Sequence, residues 1–225
     1  MENEDYYNAI LKRSGLKPEE YYTEEHDYLT LYHAKTGPQK MRVIKFRPEN
    51  LSKGVKNRIV KAGMLAFGPD MTEEEIMEHI MPTDNVYVGF RDSDVMGFAT
   101  ANIEEDAIDF VGSAVHPDYL RKGLYSEFVM QRVTLAFENN KSIIKLRTQN
   151  PIIYLGVTGS LDHLVDIDAI EGYDVEKEHV KRLYGRMLTS IRPYSGIKKI
   201  DSMFDVLDYK AGDAFSLEFR MKREK

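Results

Sequence analysis

One segment of this chain has the residue types and spacing to hold an anion. It runs Ile108-Asp-Phe-Val-Gly-Ser-Ala-Val-His-Pro-Asp-Tyr-Leu-Arg-Lys-Gly-Leu-Tyr-Ser126. The apolar stretch Ile108 to Val115 predicts a strand, and Phe128, Val129, Val133, Leu135 and Phe137 mark an amphipathic helix over 124–139. Between them lies a short loop ending at Gly123. A loop that opens at once into a helix aims several backbone N–H groups at one spot, at the positive end of the helix dipole. Gly123 lets that backbone approach a ligand with no side chain in the way. Arg121 and Lys122 add cationic charge. Such a loop suits a pyrophosphate. The same residues would equally make a plain strand-to-helix connection with two solvated basic side chains, because short glycine motifs are weak signals.

Other chemistries have less support. The chain contains no cysteine, which removes disulfides, thiolate metal sites and a cysteine nucleophile together. The histidines are scattered without ligand spacing, so no metal site is expected. Asp162, Asp166, Asp168 and Glu171 form an acidic cluster that lacks the spacing and glycine of a calcium loop. It reads as a solvated loop or as an acidic rim that would attract an amine. Tyr6, Tyr7, Tyr21, Tyr22 and Tyr28 would either line a pocket or half-bury an appended helix.

The elements that must position this segment follow from the pattern of the whole chain. Its 225 residues suffice for one sizeable domain with appended pieces. Apolar residues make up 42% and charged residues 30%, enough for an ordinary core. A net charge of −6 disfavours a nucleic-acid partner. No apolar run reaches the length of a membrane span, and the acidic start lacks signal-peptide character, so a cytoplasmic protein is expected. Residues 1–40 read as an N-terminal extension, with a helix over 5–13 and a strand over 28–33. From residue 41 onward the order is strand (41–46), helix (55–67, capped by Ser52), a short helix opened by Thr72-Glu-Glu-Glu75, a hairpin (86–90 and 95–103), strand (108–115), helix (124–139), strand (143–149) and helix. A helix over 175–191 and a final strand over 214–221 complete the reading. Hairpin strands followed by a strand–helix–strand unit imply a mixed α/β sheet with helices on both faces.

This order, with the loop motif, resembles the GNAT superfamily of amine N-acetyltransferases over residues 41–156, about half of the chain. The family's phosphate-cradling motif is Gln/Arg-x-x-Gly-x-Gly/Ala. The matching window here is Leu120-Arg-Lys-Gly-Leu-Tyr125. Gly123 falls on the first glycine, while Leu120 and Tyr125 depart from the pattern. Val115-His-Pro117 resembles the family's strand exit, Thr148-Gln-Asn-Pro151 the other half of its cofactor cleft, and Gly212-Asp-Ala a closing-strand feature. Residues 41–225 would then form the acyltransferase domain, with an insertion at about 162–205 before the final strand.

The resemblance implies a mostly antiparallel sheet in which the parallel strands 108–115 and 143–149 splay apart. Acetyl-coenzyme A is the implied acyl donor, with no metal. Its pantetheine arm would pair with free backbone groups of Ser113, Ala114 and Val115. Its pyrophosphate would sit on the amides of Arg121, Lys122, Gly123, Leu124, Tyr125 and Ser126. Asn150 would bond the pantetheine or hold the splay open; a turn residue before proline is the ordinary alternative. A catalytic carboxylate eleven residues ahead of the motif falls on Asp109, to deprotonate the amine. The family's thiolate-protonating tyrosine would fall at Val157, and Tyr154 is the nearest phenol, otherwise a packed aromatic. Tyr125 is a lesser candidate, and His116 faces the phosphates as a loop histidine. The implied acceptor is a small-molecule or peptide amine, with no nucleic acid or membrane partner and a homodimer as the open assembly. A non-catalytic coenzyme A sensor or scaffold is the competing reading.

Overall fold

The computed structural model describes residues 21–26, 29–34, 41–68, 71–120, 122–189 and 191–223. The helix expected over 5–13, and Tyr6, Tyr7, Tyr28 and Arg121, lie outside the described residues.

Nine strands form one sheet: β1 (Tyr21–His26), β2 (Leu29–Ala34), β3 (Met41–Phe46), β4 (Asn85–Arg91), β5 (Asp94–Ile103), β6 (Ala107–Val115), β7 (Ile143–Thr148), β8 (Gly172–Val180) and β9 (Ala214–Lys222). Their order is β1-β2-β3-β4-β5-β6-β7-β9-β8. Every neighbouring pair is antiparallel except β6 and β7. The N-terminal extension therefore adds two strands to the edge of the sheet, beside β3. Helices α1 (Lys53–Phe67) and α2 (Glu73–Glu78) cover one face, and α3 (Leu124–Glu138), α4 (Pro151–Asp166) and α5 (Lys198–Phe204) the other.

Local chemistry starts α1 and α2 where the sequence expects them. The Ser52 hydroxyl accepts from the Val55 amide at 3.3 Å and caps α1. Thr72 and Glu75 close a capping box on α2, with bonds of 2.8 and 3.2 Å. Ile59, Val60 and Ala62 of α1 then bury against Val86, Val88 and Phe98 of the sheet. On the opposite face Phe128, Val129 and Val133 of α3 and Val157, Leu161 and Leu164 of α4 cover Ile108, Phe110, Ile144 and Leu146. The site lies between these two cores, where the sheet opens.

One expected element is corrected. Residues 172–180 form strand β8, and 181–189 and 191–193 are irregular, where the sequence suggested a helix over 175–191. The period-two alternation of Tyr173, Val175, Lys177 and His179 decides it. These residues lie opposite Met221, Phe219, Leu217 and Phe215 of β9. Lys177 sits 4.8 Å over the Phe215 ring and His179 meets the same ring edge-on. The cross-strand partners outweigh the helix-forming glutamates between them, which point outward. Among the described residues, no helix is long and apolar enough to cross a membrane.

Candidate active site

The parallel pair β6 and β7 is hydrogen-bonded only in its first half. Pairing runs from Ala107 opposite Ile143 to Phe110 opposite Leu146, and stops. Beyond that point Gly112 to Val115 pair with β5 alone, and Arg147 and Thr148 with β9 alone. The strands splay toward their C-terminal ends and leave edge groups of β6 without a strand partner. Such an edge can take an extended ligand as an added strand.

A cleft enclosing about 930 Å³, partly open to solvent, runs through the sheet at this opening. On the side of α3 and α4 its walls include Tyr125, Arg132, Asn150 and Ile153. On the side of α1 and α2 they include Phe67, Met71, His79, Tyr184 and Leu188. Val111, Gly112, Ser113, Arg147 and Thr148 form the rim of the splay itself. A site that is mostly apolar with a few converging polar groups has the build of a small-molecule cleft.

The phosphate-loop segment adjoins this cleft. Gly123 precedes α3 with φ 81°, in the left-handed region, and no side chain caps the helix. The first amides of α3, those of Leu124, Tyr125 and Ser126, have no acceptor within the helix. A Cβ placed on Gly123 would meet no atom within 4 Å, so the space before these amides is open. The Leu124 side chain is buried in the core, and only its backbone is available to a ligand. Lys122 is exposed, with its ammonium 5.0 Å over the Tyr119 ring. His116 caps the turn before the loop, accepting from the Asp118 amide at 3.2 Å. These features fit a diphosphate: free donors, a helix N-terminus, room and a nearby cation.

Asn150 caps α4 by accepting from the Ile152 amide at 2.9 Å, and it also lines the cleft. Ser113 and Tyr125 line it too. Ala114 is buried and Val115 half-buried on the splayed end of β6.

The two expected proton-transfer residues are not brought to the cleft. Asp109 is only 5% exposed, and its Oδ2 lies 2.6 Å from an Arg147 guanidinium nitrogen. Burial pushes its carboxyl up, and the Arg147 charge opposes that. Arg147 reaches the cleft; Asp109 stands behind it. Tyr154 turns the other way, its ring 6.2 Å from both Phe204 and Phe219. It packs α4 against α5 and β9. Val157 is fully buried in the same core. A titratable side chain that does line the cleft is His79, which caps the C-terminus of α2. Its signal in the sequence is faint. The capping box fixes where α2 begins, and only the helix's shortness puts its sixth residue's neighbour beside the sheet.

The loop after β8 roofs the cleft on the side of α1 and α2, and three ties hold it. Gln149, 4% exposed, donates to the Arg186 and Asp213 carbonyls at 3.2 and 3.0 Å and accepts from the Leu188 amide at 3.0 Å. Asp213 accepts from the Arg182 amide at 2.9 Å and pairs with His179 at 2.7 Å. Arg186 reaches Glu75 of the α2 capping box at 2.6 Å. The loop thereby carries Tyr184, whose hydroxyl donates to the Arg147 carbonyl at 2.9 Å, into the cleft wall. Burial pushes that phenol up to about 12.

The Arg182 amide, and then His179, hold the Asp213 carboxyl below its ordinary value. A depressed carboxyl contributes stability that is present above its unfolded pKa and is lost as pH falls through its folded pKa. We therefore expect the loop tie to persist down to about pH 4 and to release below it. The Arg182 amide resonance should titrate with a midpoint under the ordinary Asp value, and Asp213→Asn should erase that titration.

The fold is that of known acetyltransferases. The ribosomal-protein-S18-alanine N-acetyltransferase of Escherichia coli superposes with a TM-score of 0.51 at 11% identity, covering 81% of this chain and 96% of that one. Aminoglycoside 6′-acetyltransferase type Ii does so at 0.50 and 12%, covering 81% and 99%. A Desulfovibrio desulfuricans protein ascribed to the GNAT family of acetyltransferases gives 0.50 and 15%, covering 80% and 98%. No family model and no curated protein matches the sequence. The chain carries the GNAT fold, a mixed sheet with one splayed parallel pair, as its sequence implied.

Proposed function

We propose that this protein moves an acetyl group from acetyl-coenzyme A to a primary amine, by direct transfer. The observation that carries the reading is the splay of β6 and β7, which opens a through-sheet cleft beside an uncapped helix N-terminus. Bound acetyl-coenzyme A would supply the acyl group as an activated thioester. The amides of Leu124, Tyr125 and Ser126 would hold its diphosphate, and Lys122 would add charge. The free edge of Ser113 to Val115 would align the extended arm, and Asn150 would bond it from α4. A cleft walled on both faces of the sheet lets the donor enter from one side and the amine from the other. The chain has no cysteine to carry an acyl group, in keeping with direct attack.

A neutral amine is needed for that attack, and an unperturbed lysine-like ammonium is neutral in only about one molecule in 10³ at pH 7. His79 is the titratable side chain on the acceptor wall best placed to take the proton, directly or through water. Asp109 would act indirectly, by holding Arg147 of the cleft rim in place. His79→Gln should lower kcat by about 10²-fold with little change in KM, checked by steady-state kinetics on any amine that the enzyme accepts. An unchanged kcat would return the base role to Asp109.

The test of the function itself is calorimetric titration with acetyl-coenzyme A, followed by a thiol-release assay over a panel of small amines and peptide N-termini. Binding with turnover supports the transferase. Binding without turnover of any amine favours a coenzyme A sensor, a reading that gains from Tyr154 and Val157, since neither brings a phenol from α4 to the cleft.

A further inference from the structure

Arg132 is the least expected residue of the cleft. It lies in the middle of α3, is 1% exposed, and is the largest fully buried side chain among the described residues. Its Nε donates to the Phe128 carbonyl at 3.1 Å, and its guanidinium stacks 4.1 Å over the Phe110 ring. It also shares a hydrogen bond with Tyr125. Yet no carboxylate lies within ion-pair distance among the described residues, and one guanidinium nitrogen, Nη2, has no hydrogen-bond partner. A buried cation without a counter-anion carries a large desolvation penalty, and proteins rarely leave one so. Burial accordingly pulls its pKa down from the ordinary arginine value.

The position of this orphaned charge is informative. Phe110 is the last residue of β6 that pairs with β7, so Arg132 sits at the apex of the splay and lines the cleft there. A ligand anchored by its diphosphate at Gly123 and extended along β6 would bring its far end, the thioester sulfur, to this apex. Tyr125 reaches the same place because Gly156 of α4 makes room for it. A Cβ at Gly156 would stand 2.3 Å from the Tyr125 ring.

We infer that Arg132, with the Tyr125 hydroxyl, forms an anion hole that stabilises the thiolate released from coenzyme A. Transfer to an amine makes one nitrogen–carbon bond and breaks one carbon–sulfur bond. The electron pair of the broken bond stays on sulfur, the amine gives up one proton, and the products are an amide and coenzyme A. The guanidinium supplies the missing counter-charge for the sulfur at that moment, in a site closed enough for the interaction to be strong. Tyr125, pushed up to about 12 by burial and opposed by Arg132, is protonated at neutral pH and donates to the same sulfur. The other titratable groups facing Arg132 are Tyr87 from β4 and Asp109 from β6; Arg147 lies on the rim of the splay and Tyr184 on the side of α1 and α2.

This inference rests on the coenzyme A reading and has a test independent of turnover. The affinities of coenzyme A and of its desulfo analogue are measured by calorimetry from pH of about 6.5 to about 9.5, around the ordinary thiol pKa of about 8.5. The expected result is that the affinity ratio of the two rises about tenfold with pH, because binding favours the thiolate. Arg132→Met should abolish the rise, and Tyr125→Phe should reduce it, with circular dichroism confirming the fold. A flat ratio for the unmodified protein overturns the anion hole while leaving the cofactor site intact. Failure to bind either ligand overturns both.

Discussion

Replacing Gly123 with Glu abolishes coenzyme A binding, a loss of more than about 100-fold, while the protein stays folded. The expectation rests on two separable facts. Gly123 has φ 81°, which a side chain tolerates at a cost of about 1 kcal/mol. No atom lies within 4 Å of an added Cβ, so the new side chain starts into open space. What it meets is the ligand. The glutamate carboxylate would stand before the amides of Leu124 to Ser126, occupying the donors and repelling a diphosphate. Gly123→Asn separates the two effects, because asparagine accepts the left-handed backbone and carries no charge. The Asn variant should bind within about tenfold of the unmodified protein by calorimetry. Equal loss in both variants would mean that the backbone conformation, and not the open anion site, is what matters here.

Gly212→Ala should be the most damaging single substitution in the roof of the cleft. At φ 83° its Cβ would lie 2.3 Å from the Arg186 amide nitrogen and 2.4 Å from that of Gly185. Both are backbone atoms, so no side-chain rotation relieves the clash. The loop must move, and with it the Tyr184 amide bond to the Gly212 carbonyl at 3.0 Å and the ties at Gln149. Together strain and lost buried bonds should cost about 3 kcal/mol. For a chain of this size that lowers Tm by about 6–12 °C. Thermal unfolding checks the magnitude. A second consequence is diagnostic: coenzyme A affinity should change little, because the diphosphate site lies on the other face, while KM for the amine should rise. Equal loss of both would place the loop on the cofactor side.

Most of the architecture was legible because the signals were local. The strands at 41–46 and 107–115, the Ser52 cap and the Thr72–Glu75 box each depend on residues within a few positions of one another. β8 was missed because its alternation is masked by glutamates and lysines and becomes apolar only opposite Phe215, Phe219 and Met221, more than thirty residues away in the chain. The site divides in the same way. Gly123 opens α3, and Ser113 and Asn150 line the cleft. Asp109 came from counting and Tyr154 from being the phenol nearest Val157, and neither lines the cleft, since a register position gives the strand or helix but not which wall a side chain reaches. His79 had only a faint signal and Arg132 none: a histidine after a short helix and an arginine inside an amphipathic one look like solvated residues until the sheet opens beside them.

The way the roof is fastened separates two properties that usually trade against each other. Gln149 and Asp213 grip main-chain groups of Arg182, Arg186 and Leu188, and the Tyr184 amide bonds to the Gly212 carbonyl. None of these bonds reads the loop's side chains. Leu188 and Thr189, which wall the cleft, take part in none of these bonds through their side chains and can vary without breaking them, whereas Tyr184 adds its own hydroxyl bond to the Arg147 carbonyl. Drift at these few positions could reshape the cleft at little cost in folding, and a library randomised there should stay foldable while sampling new ligands.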